Sequence, residues 1–425
     1  MPVDLDGRTL DPSLTPLGRT LRNMNLRLRS LLAALVGSTL LFSACAPGNN
    51  TTNDSPKETA PATAGAEASS PEASPTPVTP AGALSITSST DAALPSDPVT
   101  LTLENGTITD ATVTGPSGAV EGSFDKDAWT PAQALELNTE YKLTATASDG
   151  TTKEASFKTV SPGSGETSVK LPYLQDGMGV GMPAYVKFSR AIPKEYRASI
   201  EKHANITVTP AQEGSWGWLS DTELLYRPKE YWKPGTTVAL DLKWTGVQAT
   251  DSTWLKKNVT GTFSIRDVSR IIKVDIANYT TTVVENGEVV KTLPSTAGKE
   301  GFTTRSGTKL ILEKQDSMQM NSETVSIPSG SAESYDLNVQ YAMRVTWTGE
   351  FIHAAPWSVE KQGKANASHG CIGLSSENAK WLYDGAVLGD VVEFTGSDRK
   401  MEPDEGMGIW LYSWDEWKAL SASNS

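Results

Sequence analysis

Short runs of alternating apolar and polar residues, each ended by a turn signal, constrain this chain more than any other feature. "VTLTL" (Val99–Leu103), "YKLTATA" (Tyr141–Ala147) and "EASFKTV" (Glu154–Val160) follow the two-residue period of a strand with one buried face. Asn105-Gly106 and Asp149-Gly150 suit tight hairpins because both dipeptides tolerate left-handed backbone. The pattern predicts a small immunoglobulin-like β-sandwich over residues 82–163. A second block, 164–268, carries "ITVTPA", "ELLYRP" and "TTVALDLKW" between Pro- and Gly-bearing loops and reads as another sandwich. Neither block concentrates titratable groups, so both are expected to be spacers or binding modules. His203 reads as a loop or surface histidine. The chain has 425 residues, and roughly 100–200 residues per domain leaves room for more than these two.

The first 45 residues read as an export signal. Arg27 and Arg29 precede the apolar run Leu31–Phe42, too short for a bilayer that needs about 20 residues but suited to a signal peptide. Ser43-Ala44-Cys45 then resembles the lipobox of bacterial lipoproteins, which implies lipidation at Cys45. An ordinary cleaved signal is the alternative, and Met24 is a plausible start. From 46 to 81 the composition is Pro, Ala, Thr, Ser and Glu, with too little to bury for a core, so a disordered tether is expected. The predicted setting is the outer face of the cell membrane. A net charge of −13 makes nucleic acid an unsuitable partner.

Only two cysteines are present. With Cys45 carrying lipid, Cys371 has no disulfide partner, and an unpaired thiol in an exported protein points to reactivity. Two of the three histidines, His353 and His369, lie close to it in sequence. A thiol near pKa 8.5 is weakly ionised at pH 7, so a neighbouring imidazole that takes its proton would activate it. In "SHGC", Gly370 lets the backbone turn tightly, and the N–H groups of Gly370 and Cys371 are candidates for an oxyanion pocket. An inert buried cysteine and a metal site built from His353, His369 and Cys371 are the competing readings, although no metal-binding spacing accompanies them. No cofactor is implied.

After Val268 the chain changes character. "IIKVDIANYTTTVVENGEVVKTLPSTAG" predicts strands joined by a hairpin at Asn286-Gly287, "TKLILEK", "YAMRVTW" and "DVVEF" predict further strands, and "SENAKWLYDG" predicts a helix that Ser376 caps. This domain is placed at 269–397. The segment 398–425 holds Trp410, Trp414 and Trp417 and is expected to pack on the domain before it.

His353, fourteen intervening residues, then Ser368-His369-Gly370-Cys371 resembles the signature of the L,D-transpeptidase (YkuD-type) catalytic domain. The likeness extends over most of Ser269 to Phe394, and the order of lipobox, tether, two immunoglobulin-like domains, catalytic domain and Trp-rich tail resembles the actinobacterial members. The fold implied is mainly β. The resemblance implies that Cys371 attacks a peptidoglycan stem at the carbonyl between the L-centre of diaminopimelate at position three and D-alanine at position four. The acyl group then passes to a second stem's diaminopimelate amine, giving a 3→3 cross-link. It also implies His353 as base, oriented by the Ala354 carbonyl; His369 and Ser368 as shaping the site; Tyr335, Met320 and Trp357 as lining the donor cleft; and acylation by carbapenems. Two departures stand out. Gly373 replaces the family's usual asparagine two residues after the cysteine, and Thr304-Arg305-Ser306-Gly307 replaces a Thr-Pro-x-Gly turn, where Arg305 is expected to loosen the loop. Hydrolysis by the same cysteine (L,D-carboxypeptidase) and an impaired wall-binding scaffold are the alternative functions.

Overall fold

The structure is a computed structural model that describes residues 80–423; the predicted signal, Cys45 and nearly all of the tether lie outside the described residues. The first sandwich pairs Leu84–Ile86, Val99–Leu103, Ala128–Pro131 and Gly122–Asp125 in one sheet, and Gly118–Val120, Ile108–Gly115, Glu140–Ala147 and Thr152–Lys158 in the other. Alternation puts Val99, Leu101, Tyr141 and Leu143 inward against Trp129 and Phe157. Asp149-Gly150 closes a hairpin. Asn105-Gly106 does not: the strand before it pairs with Leu84–Ile86 and Ala128–Pro131, the strand after it with Glu140–Ala147. Asn105 has the positive φ (55°) that the dipeptide predicts, but the same turn serves whether the flanking strands pair or part to opposite sheets.

The second sandwich sets Val169–Lys170, Ala184–Phe188, Glu223–Pro228 and Gly214–Ser220 against Ala204–Thr209, Thr237–Leu242 and Val259–Ser264, over a core that includes Trp216, Trp218, Trp232 and Trp244. A helix, Lys194–Lys202, interrupts the strands and ends at His203. That histidine is buried rather than superficial, because it spans the junction between the two sandwiches. Its Nδ1 is 2.6 Å from the Ser199 carbonyl and its Nε2 2.7 Å from Asp97 Oδ1 on the first sandwich. A carbonyl and a carboxylate can only accept, so both ring nitrogens donate and the imidazole is charged.

The core of the second sandwich continues into the third domain. Met178, Val180 and Met182 share one cluster with Leu310, Leu312 and Val391. Close approach makes this possible: a Cβ on Gly179 would fall 2.1 Å from the Asp390 amide nitrogen, and Gly179 N donates to Leu388 O while Gly181 N donates to Gly389 O. The tail touches the third domain as expected, Met401 N donating to Ser306 O at 2.9 Å, but its tryptophans seat on the second sandwich: Arg227 stacks on Trp410, Trp414 and Trp417 at 4.6, 5.5 and 5.3 Å, and Trp417 Nε1 donates to Ser215 O. Arg227 is buried, and aromatic faces are among the few surfaces that satisfy a desolvated guanidinium.

The third domain has two sheets. One runs Glu288–Pro294, Thr280–Glu285, Arg270–Asp275, Val391–Thr395, Gly307–Leu310; the other runs Glu313–Asn321, Asp336–Arg344, Phe351–Ala354, Ile372–Leu374. Asn286 and Gly287 form the predicted hairpin turn, with φ of 49° and 90°. "TKLILEK" is not one strand. At Ile311 and Leu312 the chain leaves the first sheet for the second, Ile311 N donating to Asp390 O and Leu312 N to Arg344 O. The helix Ser376–Gly385, which Ser375 rather than Ser376 caps, buries Ala379 and Leu382 among Ile352, Leu374 and Val392.

The His203–Asp97 pair makes the junction of the sandwiches pH-dependent. Its hydrogen bond to Asp97 raises the His203 pKa, and although burial works the other way on Asp97, its bond and charge interaction with His203 bring that pKa down. A raised histidine contributes stability below its unfolded value of about 6.5 that disappears as pH rises through the folded pKa; a lowered aspartate contributes stability above about 3.9 that disappears on acidification. Lys202 and Lys243 also face the site. Asp97→Asn should therefore lower the melting temperature most near pH 5–6, with the gap to wild type closing as pH rises. A pH-independent gap in thermal unfolding would show that the pair carries no charge.

Candidate active site

Two parallel strands build the site. Phe351–Ala354 pairs with Ile372–Leu374 so that His353 lies beside Gly373. Cys371 stands one residue before the second of these strands, at its cleft end. His353 and Cys371 line a cleft of 210 Å³ together with Met320, Tyr335, Trp357, Ser368, His369 and Gly373. The Met320 side chain comes from the hairpin Glu313–Asn321/Asp336–Arg344 and, with Met318 and Cys371, packs against the buried cluster of Val339, Ala342 and Phe351. Trp357, in a short 3-10 turn, is 57% exposed and its ring centroid is 6.1 Å from that of His353.

His353 is buried, and its Nδ1 donates to Ala354 O at 2.8 Å. Burial lowers its pKa, against the raising effect of that bond. The ring is therefore neutral near pH 7 with Nε2 free of a proton. For Cys371, burial pushes the thiol up to about 12, and its recorded hydrogen bond runs to Gly349 O at 3.7 Å rather than to His353. The resting pair is thiol and neutral imidazole, not an ion pair. Tyr335 is also raised, first by burial and then by proximity to Cys371.

The turn before the cysteine differs from expectation in one respect. Gly370 adopts φ of 128°, which favours glycine, but its N–H donates to Ser368 Oγ at 3.0 Å while that hydroxyl donates to Cys371 O at 2.6 Å. Ser368 closes the turn on itself, so the Gly370 amide is engaged and is not offered to an oxyanion. His369 points to the hairpin over the cleft: its Nε2 donates to Glu333 at 2.6 Å, its ring lies 4.6 Å from Phe302 and 5.1 Å from Tyr335, and Lys299 also pairs with Glu333 at 2.6 Å. Glu333 is held below the usual carboxylate range by these bonds to Lys299 and His369. Sequence reading missed Glu333, Lys299 and Phe302, which are far from the motif and belong to no local pattern.

The residues around Gly373 leave no space for a larger side chain. A Cβ there would meet Thr296 Cγ2 at 2.9 Å and Ala355 Cβ at 3.0 Å. Arg305 does not loosen its loop: it pairs with Glu350 at 3.1 Å and Glu405 at 2.6 Å.

A histidine held by a backbone carbonyl on one strand and a cysteine at the start of its neighbour, roofed by a hairpin, define a domain fitted for acyl transfer. The sequence matches the L,D-transpeptidase catalytic domain family (YkuD) over residues 269–394 and the bacterial Ig domain family over residues 90–248. It is 34% identical over 336 residues to L,D-transpeptidase 2 of Mycobacterium tuberculosis, covering 76% of this chain and 81% of that protein. With L,D-transpeptidase 1 of the same species it is 36% identical over 219 residues, 52% of this chain and 80% of that one. A solved structure of the LD transpeptidase LdtMt1 in complex with imipenem is 34% identical and covers 55% of this chain and 100% of its own, with a TM-score of 0.46. This chain belongs to the L,D-transpeptidase family.

Installing the family's asparagine should not improve this site. Gly373→Asn is expected to destabilise by about 1–3 kcal/mol through overpacking. Thr296→Ser in the same chain, which keeps the hydroxyl bond to Ala365 O and deletes the clashing methyl, should recover part of the loss in thermal unfolding. Full stability in Gly373→Asn alone would show that the pocket has room.

Proposed function

We propose that this chain is a cysteine-dependent peptidoglycan L,D-transpeptidase that forms 3→3 cross-links between stem peptides. The observation that carries the reading is the His353 Nδ1 bond to Ala354 O, which leaves Nε2 as an acceptor in the cleft that Cys371 shares. With the thiol pushed up to about 12, hardly any of it is thiolate at pH 7. Attack is therefore coupled to proton transfer: Sγ bonds to the diaminopimelate carbonyl as its proton passes to His353 Nε2. The imidazolium returns that proton to the departing D-alanine amine, leaving a thioester. The side-chain amine of a second stem then displaces the thiol, losing its proton through His353, and Cys371 is regenerated with its hydrogen.

His369 and Tyr335 shape the donor side by holding the hairpin through Glu333 and ring contact. Exclusion of water beneath that hairpin favours an amine acceptor over hydrolysis. A carbapenem presents a strained carbonyl to the same thiol and is expected to acylate Cys371. The export signal and the lipobox cysteine Cys45 support a lipid-anchored enzyme on the outer face of the membrane, where its substrate lies.

Incubated with a disaccharide-tetrapeptide, the protein should yield a dimer that has lost one D-alanine, detected by mass spectrometry. Cys371→Ala should yield none. A tripeptide monomer without dimer would replace this reading with a carboxypeptidase.

A further inference from the structure

Outside the lining of the cleft, a cluster of charges is buried against the catalytic turn. Lys309 is 0% exposed and Glu350 4%. Lys309 Nζ donates to Glu350 Oε2 at 2.6 Å and lies 3.7 Å from the Phe394 ring centroid. The other carboxylate oxygen accepts from Arg305 N at 3.0 Å and from the Arg305 guanidinium at 3.1 Å. Burying such a pair is costly, and apolar residues of similar size often serve stability as well or better. A charge cluster kept at this position is therefore weakly explained by folding alone.

Its connections lead to the reacting residues. Glu350 immediately precedes the strand that carries His353 and follows Gly349, whose carbonyl receives the thiol of Cys371. Its Oε1 lies 3.9 Å from the position a Cβ would take on Gly370. Thr304, next to Arg305, donates to Gly370 O at 2.7 Å and accepts from Gly298 N at 2.8 Å. One carboxylate thus joins the loop braced against the catalytic turn, the carbonyl beside the thiol and the head of the His353 strand.

We infer that the Lys309–Glu350–Arg305 cluster is a positioning element for acyl transfer, which holds these three segments in register and fixes the balance of charge behind Cys371. The inference rests on the reading of Cys371 as nucleophile. Glu350 and Lys309 act on the thiol with opposite sign, the first disfavouring and the second favouring its ionisation. The other ionisable groups about the thiol are Arg344, Tyr335 and His353, with His369 tied to Glu333.

The test is the pH dependence of Cys371 alkylation by iodoacetamide in the full chain, alongside cross-linking turnover. Glu350→Gln, which keeps an acceptor for Arg305 N but removes the anion, should move the profile to lower pH. Lys309→Met should move it to higher pH, each by about one unit, or tenfold in rate at fixed pH. The double variant should return close to the wild-type profile, and both single variants should lose turnover. Coincident profiles, or shifts of the same sign, would overturn the inference, since a merely structural role slows both variants alike. If neither single variant folds, Arg305→Gln at the edge of the cluster must raise the profile, and an unmoved profile there also overturns it. If the variants show these shifts while the wild-type protein never releases D-alanine, the transpeptidase reading fails and only the cluster's control of charge behind Cys371 stands.

Discussion

The chemistry of this domain depends on a parallel pairing between two very short strands. Because Phe351–Ala354 is in register with Ile372–Leu374, a histidine and a cysteine eighteen residues apart in sequence line one cleft. A slip of one residue would turn His353 to the other face. Three paired positions do not secure a register alone. Thr296 holds it from the other side, exchanging backbone hydrogen bonds with Gly373 at 2.8 and 3.1 Å, while Ala297 O accepts from Ala367 N and Ser368 N. The absence of a side chain at Gly373 allows Thr296 to come this close.

Around that register the structure divides into rigid and yielding parts. The rigid part is the core shared by the second sandwich, the third domain and the tail, closed where Gly179 and Gly181 meet Leu388 and Gly389. The yielding part is the hairpin over the cleft. Its contacts with the catalytic turn are the Glu333 bonds to His369 and Lys299 and the packing of Tyr335 on His369. Exposed ion pairs of this kind contribute little to stability. The inner strand of the hairpin nevertheless pairs with the His353 strand and buries Val339, Ala342 and Met343, so only the tip that carries Glu333 and Tyr335 depends on these exposed contacts.

Much of this was legible in the sequence, for identifiable reasons. Val99, Leu101, Tyr141 and Leu143 alternate with polar neighbours, and burial on one face of a strand requires that period. The hairpin at Asn286-Gly287 follows from two residues that tolerate positive φ. His353 and Cys371 were conspicuous because the chain has so few histidines and cysteines. The misreadings have a common origin. Asn105-Gly106, the break at Ile311-Leu312, the seat of the tail's tryptophans and the burial of His203 all depend on which partner a segment finds, and partners distant in sequence leave no local trace. Arg305 shows this most clearly: as a replacement for proline it reads as a loosened turn, yet Glu350 and Glu405 fix it.

By itself, the sequence determined the β character of the chain, its order of domains and the residue types able to form a thioester, because period, turn chemistry and side-chain reactivity are local properties. Tertiary structure decided which nitrogen of His353 carries the proton, that the Gly370 amide is occupied by Ser368, that Thr296 crowds the space beside Gly373, and that Lys309 and Glu350 meet behind the thiol. Each of these is a contact between segments far apart in the chain, and in a low-dielectric interior such contacts set both position and charge.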